Sequence, residues 1–154
     1  MLASTPIPES AERRAALSVA VTARTGLDPA AIERFLRAFY GAARQDTLLG
    51  PAFAGVADWE RHIAVITRFW CSVALMTGDY HGQPMQAHAH LALQPAHFRR
   101  WLALFEQVAG AELTPQGAEH MLERARRIAR SLEMGLLPLP LPATPRPTAQ
   151  GQPA

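Results

Sequence analysis

Residues 62–70 read HIAVITRFW, and residues 78–88 read GDYHGQPMQAH. In the first stretch the apolar residues recur at helical intervals, and His62 lies at its beginning. The second stretch ends with His88, shortly after a break at Gly82 and Pro84. Two histidines on separate segments, with aromatic residues between and around them, suit a flat, apolar cofactor that carries a metal. Haem is such a cofactor.

The surrounding sequence predicts four helices and no strand. A first helix begins at Asp28-Pro29, because aspartate is a favoured N-cap and proline suits the first helical position. A second covers about residues 58–77. A third begins at Pro95 with Gly110 as its stop, and a fourth is capped by Thr114-Pro115. We therefore expect an all-α domain, and helical bundles hold cofactors between facing helices.

The length of 154 residues fits one domain, which we place at residues 26–136. Residues 1–25 form an N-terminal extension that is weakly helical at best, because Leu17, Val19 and Val21 alternate with a period of two. Residues 137–154 are rich in proline, and we expect a disordered or polyproline-like tail.

Composition excludes several classes of protein. All fifteen basic residues are arginine, yet the net charge is only +2 and glutamates accompany most arginines, so we expect no nucleic-acid partner. No apolar run approaches the length of a membrane span, and the first residues lack the features of a secretory signal. Cys71 is the only cysteine, which precludes an internal disulfide and fits a cytoplasmic protein.

Taken singly, the candidate residues have plainer interpretations. His88 could be a loop histidine without a role, and His62 a half-exposed residue at a helix margin. His81, His88 and His90 could instead bind a divalent metal without a porphyrin, although no acid or cysteine completes a convincing zinc site. Tyr40 lies on an apolar helix face, so its hydroxyl needs a partner if it is buried.

Six short motifs together resemble one globin family, the group III truncated haemoglobins. They occur in the order and approximate spacing of that family: 39–40 (FY), 49–53 (LGPAF), 59–62 (WERH), 69–70 (FW), 78–84 (GDYHGQP) and 97–102 (HFRRWL). The resemblance covers about residues 25–136. It implies a two-over-two helical sandwich around one haem b.

The same resemblance implies roles for individual residues. His88 corresponds to the proximal iron ligand, with His90 as the alternative. The residues that correspond to the polar distal partners of the ligand are Tyr40, His62 and Trp101. Those implied to pack against the haem are Phe53, Ile66, Phe69 and Trp101. From their positions, we expect the haem propionates near Arg61, His97 and Arg100.

The function implied is binding of dioxygen, and of other diatomic ligands such as nitric oxide and carbon monoxide, at a ferrous haem iron with a polar distal pocket. Turnover of nitric oxide or peroxide is compatible with a polar distal pocket, and it would require an outside electron donor such as a reductase. We expect a monomer, since no exposed heptad seam is present. The alternative hypothesis is a haem-free helical domain that binds a protein partner through the wide apolar helix at residues 58–77.

Overall fold

The computed structural model describes residues 6–78, 82, 88 and 91–136, and among these residues there is no β-strand. The helices are α1 (Pro6–Thr25), α2 (Pro29–Gln45), a short 3₁₀ helix (Gly50–Phe53), α3 (Trp59–Leu75), α4 (Pro95–Glu112) and α5 (Pro115–Leu136). The predicted all-α class is confirmed. Within this part of the chain, no helix is long and apolar enough to cross a membrane.

Three helices begin at capping residues, and the sequence predicts two of these caps, Asp28 and Thr114. The Asp28 carboxylate accepts a hydrogen bond from the Ala31 N–H at 2.7 Å, and the Asp58 carboxylate accepts one from the Arg61 N–H at 3.1 Å. The Thr114 hydroxyl accepts one from the backbone N–H three residues later, at 2.9 Å. Each cap satisfies a backbone donor that has no partner inside its helix, which fixes where the helix starts.

Two helix ends differ from the prediction. Helix α3 ends at Leu75 rather than near Thr77, because Met76 adopts a left-handed backbone with φ of 58°. Helix α4 continues through Gly110 to Glu112, so the predicted stop at Gly110 is wrong. A glycine is tolerated inside a helix at a cost of about 0.5–1 kcal/mol, and here the backbone stays helical for two further residues.

Aromatic rings from α2, α3 and α4 interlock inside a core whose other side chains are mostly aliphatic. The ring centroid of Phe105 lies 4.8 Å from that of Phe35, 5.3 Å from that of Phe39 and 5.3 Å from that of Trp70. All four side chains are buried. Because edge-to-face and tilted rings interlock, they fix the three helices relative to one another.

Helix α5 packs against this core along the stripe that its periodicity predicts. Met121, Ala125 and Ala129 are buried there. His120 is buried as well, which the apolar pattern does not indicate, and its Nε2 lies 3.0 Å from the carbonyl oxygen of Ala74 on α3. Burial lowers the pKa of His120, because an apolar environment disfavours the charged ring.

Helix α1 is a regular helix of twenty residues, although the sequence left its type open. Leu17 and Val19 are exposed, whereas Val21 and Thr25 are buried against the rest of the domain. The Thr114 hydroxyl donates to the Thr25 carbonyl oxygen at 2.6 Å, which joins the end of α1 to the start of α5. The predicted proline-rich tail, residues 137–154, lies outside the described residues.

Candidate functional site

Helices α2, α3 and α4 and the 3₁₀ helix bring four predicted site residues together: Tyr40 and its three neighbours Phe53, His62 and Trp101. Tyr40 lies on α2, and its ring centroid is 5.7 Å from that of Phe53 and 6.1 Å from that of His62 on α3. Both neighbouring rings are nearly perpendicular to the tyrosine ring. The side chain of Trp101 on α4 lies within hydrogen-bonding reach of Tyr40 and lowers the pKa of the tyrosine hydroxyl. The candidate site therefore lies where α2, α3 and α4 meet.

The hydrogen bond between Trp101 and Tyr40 has a fixed direction. An indole N–H can only donate, so the Tyr40 oxygen accepts and the tyrosine proton is left for another acceptor. Burial raises the pKa of Tyr40 well above its ordinary value, since a phenolate would be poorly solvated there, and the Trp101 hydrogen bond offsets only part of this effect. Tyr40 is therefore a neutral hydrogen-bond donor at physiological pH.

His62 and His88 lie close enough for the charge on one ring to affect the other. Burial of His62 lowers its pKa, and a positive charge on His88 lowers it further. His88 belongs to a separate segment, where it is helical and its carbonyl oxygen accepts from the Leu91 N–H at 3.0 Å. The lowered pKa favours a neutral His62, in which one ring nitrogen donates and the other accepts.

Apolar side chains continue from His62 along the same face of α3. Ile66 and Phe69 lie one and two turns after it, and both are half-buried against the aromatic core. Phe53 is half-buried on the 3₁₀ helix. These three side chains give the site an apolar surface beside its polar groups, as an apolar ring system would require.

The three residues expected near the cofactor's anionic groups have different surroundings. Arg61 is exposed in the first turn of α3. The Nδ1 of His97 accepts a hydrogen bond from the Gln94 N–H at 2.9 Å at the start of α4. The Nε of Arg100 donates to a carboxylate oxygen of Asp46 at 2.7 Å. Two of the three therefore already have partners within the protein.

Sequence reasoning missed Trp59 and Arg44 as members of the site. The ring centroid of Trp59 lies 5.3 Å from that of His62 and 5.7 Å from that of Phe53. The Arg44 guanidinium lies over the Trp59 ring, 4.0 Å from its centroid, in a cation–π contact. A signal was present in the sequence, since residues three apart on a helix share a face and Trp59 precedes His62 by three.

Metal-ligand candidates are few in this part of the protein. Among the described residues, no group of three or more His, Cys, Asp or Glu side chains could hold a metal ion. His81 and His90, which belong to the alternative metal site, lie outside those residues, as does the alternative of His90 as the proximal ligand. At the site described above, the imidazoles of His62 and His88 are the candidate metal donors.

Comparison with known proteins identifies the family. No protein-family model matches the sequence. The chain is 36% identical over 104 residues to a group 3 truncated haemoglobin of Campylobacter jejuni, a match that covers 64% of this chain and 82% of that protein. The crystal structure of a group III truncated haemoglobin from Campylobacter jejuni superposes with a TM-score of 0.66 and 33% identity, covering 72% of this chain and 92% of that one. The chain belongs to the group III truncated haemoglobins.

Proposed function

We propose that this chain binds haem b and, at the haem iron, dioxygen and related diatomic ligands such as nitric oxide and carbon monoxide. The observation that carries the proposal is the convergence of Tyr40, His62 and Trp101 from three different helices, with His88 nearby on a separate segment. Half-buried polar side chains that converge beside apolar surface are typical of a ligand site.

The residues present fit haem. A neutral imidazole is the commonest protein ligand of haem iron, so His88 is the residue that would hold the iron. The porphyrin needs apolar contacts, for which Phe53, Ile66 and Phe69 are suitably placed beside the polar cluster. Trp101 belongs both to the apolar contacts and to the polar cluster. Its ring packs against the edge of the core, and its N–H is directed to Tyr40.

When bound, haem supplies an iron position that takes a diatomic ligand. The Tyr40 oxygen would accept from the indole N–H of Trp101. The hydroxyl proton of Tyr40 would then be available to donate to the bound ligand. A neutral His62 offers a second N–H. A hydrogen bond to a charged group contributes about 1.5–3 kcal/mol, and about 1.4 kcal/mol is tenfold in an equilibrium constant. We therefore expect slow release of dioxygen and a smaller effect on the less polar carbon monoxide.

Slow release suits ligand chemistry better than oxygen delivery. The reaction class that we favour is turnover of nitric oxide or peroxide. Such a cycle needs electrons from an outside donor, for which an unidentified reductase is the simplest source. The chain's own contribution would be to hold the ligand through Tyr40 and His62, beside the apolar side chains of the site.

The test is the absorption spectrum of the purified, haem-supplied protein, reduced with and without carbon monoxide. Wild type, His88→Ala and His90→Ala are compared, with His120→Gln as a control because His120 contacts the Ala74 carbonyl, near the opposite end of α3 from His62. We expect a Soret band that shifts with carbon monoxide in wild type, is lost or altered in His88→Ala, and is unchanged in the other two variants.

Each other outcome contradicts a stated part of the proposal. A change in His90→Ala but not in His88→Ala would transfer the proximal role to His90. A wild-type protein without a Soret band after haem is supplied would overturn the proposal and favour the haem-free, partner-binding hypothesis. Bound divalent metal without a porphyrin spectrum would favour the three-histidine metal site instead.

A further inference from the structure

The side chain of Asp46 joins three parts of the structure. One carboxylate oxygen accepts from the Nε of Arg100 on α4 at 2.7 Å. The other accepts from the backbone N–H groups of Leu48 and Leu49, at 3.1 and 3.0 Å, in the loop after α2. The backbone N–H of Asp46 donates to the Ala43 carbonyl oxygen at 3.2 Å, at the end of α2.

Each part that Asp46 joins carries a residue of the proposed ligand site. The loop leads directly into the 3₁₀ helix that ends with Phe53, and Arg100 immediately precedes Trp101 on α4. Tyr40 lies six residues before Asp46, which corresponds to about 9 Å along α2. The contact therefore restrains both the turn that carries Phe53 and the helix that carries Trp101, relative to the helix that carries Tyr40.

The contact between Asp46 and Arg100 is suited to hold a fixed geometry. The Asp46 side chain is only 9% exposed, whereas that of Arg100 is 43% exposed. The Leu49 N–H lowers the pKa of Asp46 most, and the hydrogen bond from Arg100 lowers it further, so the carboxylate stays ionised at neutral pH. Charge-assisted hydrogen bonds of this kind are shorter and stronger than neutral ones.

We propose that Asp46 and Arg100 are a positioning pair, which aligns Trp101 with Tyr40 and thereby slows the release of a diatomic ligand. The inference rests on the proposed function, since it concerns the same site. Neither residue of the pair is expected to touch the ligand. In this proposal Arg100 is the partner of Asp46 and does not contact a haem propionate.

The test uses the full chain with haem bound and the variant Arg100→Met, which keeps the long side chain but removes the Nε donor. Arg99→Met is the matched control, because Arg99 is the adjacent residue on α4 and is exposed. We expect Arg100→Met to release dioxygen roughly fivefold to tenfold faster, the range expected when a single hydrogen bond is weakened. Arg99→Met should match wild type.

Two further readouts separate positioning from a general loss of stability. The C–O stretch of the carbon monoxide complex reports the polar contact directly, and we expect it to rise in Arg100→Met but not in Arg99→Met. In a Trp101→Phe background the same substitution should have no further effect on release, since residues that act through one contact are not additive. Arg100→Leu, which also lacks a donor, replaces Arg100→Met if the latter does not fold, with the same expected results.

The outcomes distinguish this inference from the function on which it rests. A wild-type chain that binds no haem would overturn both. Normal haem binding with an unchanged release rate in Arg100→Met would overturn the positioning role alone. A variant that loses haem while its bound fraction releases dioxygen at the wild-type rate would assign Arg100 to the haem and contradict the role.

Discussion

Trp101 on α4 lies beside the hydroxyl of Tyr40 on α2 and lowers the pKa of that hydroxyl, and a hydrogen bond between the two can run only from the indole N–H because tryptophan has no acceptor. The tyrosine proton must therefore point to a third group. In the proposed haem pocket that group is the bound ligand. The two residues then act in series, with Trp101 orienting the donor and Tyr40 making the contact.

Because Trp101 acts through Tyr40, substitutions of the two residues should change the rate of dioxygen release to different extents. We expect Tyr40→Phe to speed dioxygen release by roughly tenfold or more, as the loss of one strong hydrogen bond implies. Trp101→Phe should have a smaller effect, and the double variant should match Tyr40→Phe. Stopped-flow release rates measure this. Equal, additive effects would mean that the two donors act independently, and unchanged rates would contradict both roles.

Two glycines near the site should respond to alanine in opposite directions. A Cβ at Gly50 would lie 2.8 Å from the carbonyl oxygen of Arg44, which is backbone and cannot move away cheaply. A Cβ at Gly41, inside α2, would meet nothing within 4 Å. We expect Gly50→Ala to destabilise by about 1–3 kcal/mol and Gly41→Ala to stabilise by about 0.5–1 kcal/mol. Urea unfolding tests both, and a shift of the same sign would refute the packing argument.

Phe105 is the central ring of the core, in contact with Phe35, Phe39 and Trp70. It is fully buried, so Phe105→Ala should lower the free energy of unfolding by about 3–5 kcal/mol. Met134→Ala is the comparison, because Met134 is 61% exposed and its loss should cost less than about 0.5 kcal/mol. Thermal or urea unfolding gives both values. A small change in the free energy of unfolding of Phe105→Ala would show that the core rearranges to fill the cavity left by the ring.

His120 should make stability fall on acidification. Burial lowers the pKa of His120, and Arg124 and Arg24 lower it further, while the bond to the Ala74 carbonyl and the charge of Glu123 act in the opposite direction. The unfolded chain therefore binds this proton more readily than the folded one, so stability is complete above the ordinary histidine pKa of 6.5 and is lost as the pH falls through the folded pKa.

The variant His120→Gln isolates this effect, because glutamine keeps an N–H for the Ala74 carbonyl but does not titrate. Urea unfolding at about pH 7.5 and about pH 5.5 should show a smaller loss of stability in the variant than in wild type. His62, whose pKa is also lowered, contributes in the same direction, so a part of the loss should remain. Equal losses in both proteins would mean that His120 does not titrate differently on folding.

Most of the fold follows from local signals. Helices α2 to α5 are predicted because each has apolar residues at helical spacing, and α2, α4 and α5 also have a local start signal, which is a cap at Asp28 and Thr114 and a proline at Pro95. Helix α1 could not be predicted, because Leu17, Val19 and Val21 alternate as in a strand. In the structure only Val21 of these three is buried. The predicted helix end at Gly110 is wrong for a different reason. A glycine commonly ends a helix by adopting a left-handed backbone, and the backbone at Gly110 is not left-handed.

The site required a different kind of information. Periodicity places Tyr40 and His62 on apolar helix faces, but it cannot show that they meet, and resemblance to the truncated globins supplied that expectation. The contact between Asp46 and Arg100 spans 54 positions in the sequence. Single charged residues at that separation form no pattern, so only the packed helices reveal the pair.

The Thr114 hydroxyl serves two helices at once. It accepts from the Gly117 N–H at the start of α5 and donates to the Thr25 carbonyl at the end of α1. Because both bonds depend on one oxygen, fraying of the last turn of α1 also loosens the first turn of α5. The amide hydrogens of these two turns should therefore exchange with solvent as one cooperative unit, while residues 11–17 of α1, which are exposed, open independently.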